Sequence, residues 1–266
     1  MTLPGKKNLL GILVDRIECA EAAALVLEAA GQQRPFAVSA MAVHGVMTGV
    51  LEATHRYRLN HLDLVVCDGQ PVRWALNLLY HSGPRERVYG PNLMRDIIIG
   101  AVAKKLPVFF FGSTEEVLKK MCRNFRERYP ELLIAGAEPS TFGPIPPHAA
   151  DELAARIRGS GAMIVFAGLG CPRQEVWAYE FRERIGIPIV AVGAAFPFAA
   201  GTLRQAPQWM QDRGLEWLFR LCSEPRRLWR RYLVLSPMYL ALVFCQWLGL
   251  SFRHDAPAPT HEILYG

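Results

Sequence analysis

The apolar run "DLVVC" (63–67) ends on Asp68, and Gly69 follows at once. A carboxylate is costly in a core but makes sense where a strand opens into a cleft. There it could accept a proton from a substrate hydroxyl. The same residue has a structural reading. Asp before "GQPVRWAL" could cap a helix by accepting from its free N–H groups. Sequence alone leaves both readings standing.

Three further stretches carry residue types suited to chemistry. "GLGCPRQEVWA" (168–178) leads from a glycine turn through Pro172 into an amphipathic helix. Such a helix start offers free N–H groups and a positive dipole end to a phosphate. It is neither a Walker loop nor G-x-G-x-x-G, because Arg173 stands in the third glycine's place. "RVYGPNLMRDII" (87–98) breaks at Gly90-Pro91-Asn92 before a helix and reads first as a plain loop. "RLCSEPRRLWRR" (220–231) holds five arginines and one glutamate. That cluster suits phosphates or an anionic membrane surface. Ser223 is placed to cap a new helix that has Pro225 early in it. On an α-helical wheel Arg226, Arg227, Arg230 and Arg231 share one face. Leu228, Trp229, Tyr232, Leu233 and Leu235 share the other, as in a helix lying in a membrane interface.

These residues need elements to position them. Strand candidates are 8–14, 35–40, 63–67, 107–112, 132–137, 163–168 and 188–193. Helical patterns cover 20–30, 71–80, 115–129, 148–159 and 173–185. Near-continuous apolar strands alternating with amphipathic helices predict a Rossmann-like α/β fold, with a mostly parallel sheet covered on both faces. In such folds ligands bind beyond the carboxyl ends of the strands. Here those ends read Ser39, Asp68-Gly69, Gly112-Ser113-Thr114, Gly168-Leu169-Gly170 and Gly193. Any one of these glycines could simply make a tight turn, but five similar strand ends suggest a site floor.

The 266 residues divide, on this reading, into an α/β catalytic domain (1–203), a helical membrane-associating appendage (204–252) and a polar tail (253–266). The formal charge of +6 is mild for the chain as a whole, so the local arginine cluster matters more. Six scattered cysteines form neither C-x-x-C pairs nor zinc spacing and read as reduced cytosolic thiols. The N-terminal apolar run is too short for a signal peptide. Residues 232–252 are mostly apolar but contain Pro237 and Gln246, which favours a re-entrant or surface-lying hairpin over a straight span.

"DLVVCDGQPVRWA", "RVYGPNLM", "VFFFGST", "YPELLIAG", "GLGCPRQEVW" and "GLEWLFRLCSEPRRLWRRYL" occur here in the order and spacing of the WecG/TagA/CpsF bacterial glycosyltransferases, family 26. The resemblance covers roughly residues 8–235. It implies an inverting transfer of a hexose or N-acetylhexosamine. The donor would be a UDP-sugar, and the acceptor a polyprenyl-diphosphate-linked saccharide at the cytoplasmic membrane face. No cofactor and no metal at the phosphates are expected. It also implies roles by position. Asp68 is the general base, Ser39 lies near the reacting sugar, Gln174 contacts donor or acceptor, and Arg220 and Arg227 close over the diphosphate. With the strand-end turns, the donor site is expected to draw on Gly69, Arg73, Gly90, Pro91, Asn92, Gly112, Ser113, Thr114, Gly168, Gly170, Arg173, Gln174 and Glu175. Arg226, Trp229, Arg230 and Arg231 are expected to meet the membrane. A homo-oligomer is left open.

This sequence departs from the family pattern at Ser39-Ala40-Met41, at Asn92 and at Phe196-Pro197-Phe198. Those positions surround the sugar site. UDP-glucose, as in the gum-cluster glucosyltransferases of exopolysaccharide synthesis, is therefore as credible as UDP-N-acetylmannosamine. Two rival classes remain. A nucleotide-dependent oxidoreductase lacks its expected G-x-G-x-x-G after the first strand. A catalytically impaired nucleotide-sugar-binding membrane protein gains weight from Met41 and Pro197. A nucleic-acid binder is disfavoured, because the arginines adjoin an apolar tail.

Overall fold

The computed structural model describes residues 5–81, 84–207, 209–210 and 213–266. Met1–Pro4, Ser82, Gly83, Gln208, Gln211 and Asp212, which the expected domain and appendage ranges include, lie outside the described residues. Strands β3 (Phe36–Met41), β4 (Leu64–Cys67), β5 (Val108–Gly112), β6 (Ile134–Glu138), β7 (Ile164–Gly168) and β8 (Pro188–Ala191) form one sheet in the order β4-β3-β8-β7-β5-β6. Every neighbouring pair is parallel. The doubly covered sheet expected from the apolar runs is therefore present. Leu64 and Val66 enter one core while Val65 and Cys67 enter the other, as the two-residue strand period requires.

One core lies under α2 (Val43–Leu51), α3 (Ala53–Asn60), α4 (Gln70–Tyr80), α7 (Pro147–Gly159) and α8 (Arg173–Ile185). The other lies under α1 (Cys19–Gly31), α5 (Gly90–Ala103), α6 (Glu115–Arg128) and α9 (Ala195–Ala199). The helix after β3 thus covers one face and the helix after β8 covers the other. Neighbouring strands whose connections leave to opposite faces open a crevice at their carboxyl ends. The start of α5 sits over this point. A side chain at Gly90 would lie 3.5 Å from the Val192 carbonyl and 3.7 Å from Ala40 Cβ.

Residues 8–14, expected as one strand, form a hairpin instead: β1 (Lys6–Leu9) pairs antiparallel with β2 (Ile12–Asp15). Leu10 and Gly11 both take positive φ at the turn, so an apolar run that looked continuous folds back on itself. Ser223 differs as well. It closes α10 (Glu216–Ser223), where its hydroxyl donates to the Phe219 carbonyl. Glu224 is the junction, and Pro225 starts α11 (Pro225–Trp229). A hydroxyl that bonds back to the preceding turn is not free to cap the next helix.

The helix from α11 continues through a π-helical segment, Arg230–Leu235, into α12 (Ser236–Trp247). It forms no hairpin, and among the described residues no helix is long and apolar enough to cross a membrane. One side of α12 is part of the protein core. Tyr239 and Val243 are buried, and the Tyr239 hydroxyl donates to the Pro71 carbonyl at 3.1 Å. Gln246 accepts from the Leu10 amide and donates to the Asn8 carbonyl. The following chain stays attached as well. Asn8 donates to Phe252, Arg58 to His261, and Leu264 is buried against the core.

Candidate active site

Asp68 is placed by three backbone contacts. Its amide donates to the Met41 carbonyl at 2.9 Å, which fixes it beside the end of β3. The Val88 amide donates to the Cys67 carbonyl at 2.8 Å, which brings the 84–89 segment alongside. Asp68 Oδ1 then accepts from the Gly90 amide at 3.2 Å, the first N–H of α5. The N-cap of α4 is Gly69, without a side-chain cap bond. The helix-cap reading of Asp68 therefore falls, and its carboxylate is turned across the crevice.

Asp68 is half-buried, and burial pushes its carboxyl up to about 6. Arg87 opposes this rise, Glu216 adds to it, and the Gly90 amide and Arg220 oppose it. A carboxylate in that range is a useful proton acceptor near neutral pH.

The flanking charges form a compact network. Arg87 pairs with Glu216, the first residue of α10, at 2.7 Å, and both side chains are 14% exposed. The Arg87 guanidinium also lies 4.3 Å from the centre of the Tyr89 ring. The Tyr89 hydroxyl donates to Glu216 Oε1 at 3.3 Å. Burial raises the Tyr89 phenol, so it keeps its proton and acts as a donor. Arg220 lies four residues after Glu216, one turn along the same helix face. It acts on Asp68 and Tyr89 electrostatically, and its buried Nε has no hydrogen-bond partner among the described residues. Arg87, Tyr89 and Glu216 were not among the residues expected from sequence. A signal was present, however: Arg87 and Tyr89 alternate just before the Gly90-Pro91 helix start, so an extended chain points both the same way.

A second cluster lies beneath the crevice. Ser39 is fully buried, and its hydroxyl donates to Glu175 Oε1 at 3.1 Å. The Gln174 amide donates to the same oxygen at 2.8 Å, while Gln174 Oε1 accepts from the Gly170 amide at 3.1 Å. Glu175 is 1% exposed, and burial raises its carboxyl, opposed by bonds from Gln174, Ser39 and Cys171. Gly193 makes room for this arrangement. It holds φ +41°, and a side chain there would meet Gln174 Oε1 at 2.5 Å.

Other expected donor residues have structural partners in view. Gly112 holds φ +104°, and a side chain there would meet the Gly168 backbone at 2.9 Å. Its glycine is needed for two strands to approach. Gly168 in turn packs on the Phe196 ring. Ser113 accepts from the Ser140 amide, and Thr114 caps α6 by accepting from Val117. Arg73 donates to the Arg85 carbonyl at 2.9 Å. Asn92 and Arg173 are exposed, with Arg173 over the Phe142 ring. Pro91 is partly buried, and Gly69 lies against Ala42 at the crevice edge. Gly170 has open space around it.

The C-terminal arginines do not act as one face. Arg220 reaches the Asp68 network. Arg227 is exposed and pairs with Glu224 at 2.7 Å. Arg231 turns toward α2 and the β7–α8 loop, where it acts on His44 and Cys171. Arg226, Trp229 and Arg230 are exposed, and Leu228 is buried. The α-helical wheel fails here because the segment from Arg230 to Leu235 winds with i→i+5 hydrogen bonds. One extra residue per turn rotates the side chains away from their α positions.

A doubly wound α/β sheet places the raised Asp68 carboxyl at its strand-end crevice, beside the partly buried Arg87 and Arg220. The model of the Glycosyl transferase WecG/TagA/CpsF family matches residues 7–253, nearly the whole chain. The chain belongs to that family, and its activity is glycosyl transfer in the synthesis of cell-surface polysaccharide.

Proposed function

We propose that the protein transfers a hexose or N-acetylhexosamine from a UDP-sugar to a polyprenyl-diphosphate-linked saccharide, with inversion, at the inner face of the cytoplasmic membrane. The observation that carries this reading is the Asp68 carboxyl, raised to about 6 and aimed across the crevice beside Arg87 and Arg220. Asp68 takes the proton from the acceptor hydroxyl as its oxygen bonds to the anomeric carbon. The bond from that carbon to the UDP oxygen breaks, and UDP leaves as an anion. Arginine suits this departure, since its guanidinium can grip phosphate through two parallel hydrogen bonds. Arg220 of α10, whose buried Nε has no hydrogen-bond partner among the described residues, is such a donor. Ser39, Gln174 and Glu175 act beneath the floor, where they hold the Gly170 turn in shape.

Membrane docking is supported by the outer side of the C-terminal helix. Leu233, Leu240, Phe244, Trp247, Leu248 and Leu250 are each more than half exposed. Leu240, Phe244 and Trp247 recur at helical spacing, and the last two rings stack at 5.8 Å. Contiguous apolar surface of this kind beside arginines fits a lipid interface.

The test is a donor screen. UDP-glucose, UDP-N-acetylmannosamine and related donors are each paired with polyprenyl-diphosphate mono- and disaccharides, and products are read by mass spectrometry. The expected result is an acceptor heavier by one sugar with one donor. If every pairing gives only unchanged acceptor, the reading fails.

A further inference from the structure

We propose that Glu216 is a positioning residue that clamps Arg87 and Tyr89 from α10 and so sets up Asp68. This inference rests on the reading of Asp68 as general base. The geometry is a short relay. Glu216 opens α10 and holds Arg87 at 2.7 Å and the Tyr89 hydroxyl at 3.3 Å. The next residue along, Gly90, uses its amide to hold Asp68 Oδ1 at 3.2 Å. The three-residue stretch from Arg87 to Tyr89 is thus tied on one side to the appendage and ends at the amide that orients the base. The Val88 amide anchors its middle to β4 at 2.8 Å, so the stretch cannot move without disturbing the strand end.

Glu216 also sets the charge around the base. The groups facing Asp68 are Arg87 from the 84–89 segment and Glu216 and Arg220 from α10. Tyr89, from the 84–89 segment, and Cys67, from β4, also face it, and burial keeps both in their protonated forms. Arg73 of α4 acts on Cys67. Among these, Glu216 is the group whose negative charge both offsets Arg87 and raises the carboxyl directly. With Glu216 beside it, Asp68 holds its proton more tightly and is a stronger base. Glu216 thus ties α10 to the strength of the base, with Arg220 of the same helix acting in the opposite sense.

The test compares two substitutions in the full chain, Glu216→Gln and Arg87→Gln. The Asp68 carboxyl is titrated by carbon-13 NMR, and the acid limb of the transfer rate is measured beside it. In Glu216→Gln the negative charge is lost and Arg87 acts unopposed, so the Asp68 midpoint and the acid limb should both move to lower pH. In Arg87→Gln the stronger of the two opposing cations is lost, so both should move to higher pH. A merely structural role would lower the melting temperature without giving shifts of opposite sign. A midpoint in either variant that coincides with wild type, or two shifts in one direction, overturns the proposal. Because the titration needs no turnover, it decides this point even if the donor screen finds no transfer.

Discussion

Asp68 and Glu175 are both acids raised by burial near the carboxyl ends of the sheet, yet they are built for different work. Asp68 is half-buried at the crevice and surrounded by full charges: Arg87, Glu216 and Arg220. Glu175 is 1% exposed and surrounded by neutral donors from Gln174, Ser39 and Cys171. Charged neighbours let the proton affinity of Asp68 be set finely at the open crevice. Neutral donors lock Glu175 in place with no path for a substrate proton. Burial raises both, so a raised acid alone does not mark a base. Access and the kind of partner separate the two.

The largest effect should come at Asp68. Asp68→Asn should cut transfer by about 10²–10⁴-fold, the usual contribution of a general base. The wild-type rate should fall as pH drops through about 6. The same substitution should stabilise the fold at neutral pH. An acid whose folded-state value lies above its unfolded one favours folding below the unfolded value, and that contribution is lost as pH rises through the folded value. Above about 6 the buried carboxylate is therefore a net cost, and its removal should raise the melting temperature at pH 8. A variant both inactive and less stable there would undo the assignment.

Arg220→Ala comes next. Losing one charge-assisted contact to the leaving diphosphate costs about 1.5–3 kcal/mol, or roughly 10- to 150-fold in turnover. Arg227→Ala should do less, since Arg227 is exposed and already paired with Glu224. Equal losses in detergent would show that the two act together.

Glu175 should separate stability from chemistry. Glu175→Ala strips an acceptor from Ser39 and Gln174 and should destabilise by about 1–3 kcal/mol. Glu175→Gln keeps the shape and should retain most turnover, and Ser39→Ala should impair transfer less than Asp68→Asn. A Glu175→Gln loss as large as that of Asp68→Asn would erase the contrast between the two acids.

The smallest effect on chemistry should come from the exposed apolar stripe. Phe244→Ser with Leu248→Ser should weaken co-sedimentation with anionic vesicles while turnover in detergent holds. Point changes suit this test better than truncation at residue 236, because Tyr239, Val243 and Gln246 belong to the folded core.

Much of the α/β core could be read from sequence because each element there follows one period over its full length. The helix expected at 173–185 matches α8 residue for residue. Asp68 stood out because a charge interrupts an apolar strand. The 84–89 segment did not, because its role depends on a backbone bond to β4 and a side chain from α10 more than a hundred residues later. The Ser39–Glu175 bond spans a similar distance, and no local pattern encodes it. The hairpin expected at 232–252 failed for a related reason. Tyr239 and Val243 read as part of an apolar tract until α2 and α4 are placed beside them.

The π-helical segment from Arg230 to Leu235 amounts to a phase slip in the hydrophobic pattern. Upstream and downstream of it the chain keeps a regular helical rhythm, but the two rhythms are offset. A single-residue deletion within the slip would bring them back into step. The α12 stripe would then be rotated about the helix axis, with Leu240 brought to the position that Tyr239 holds now. The slip lets one uninterrupted helix present a side fitted to the protein and another fitted to a different medium, and the length of the segment, more than its composition, decides which side each receives.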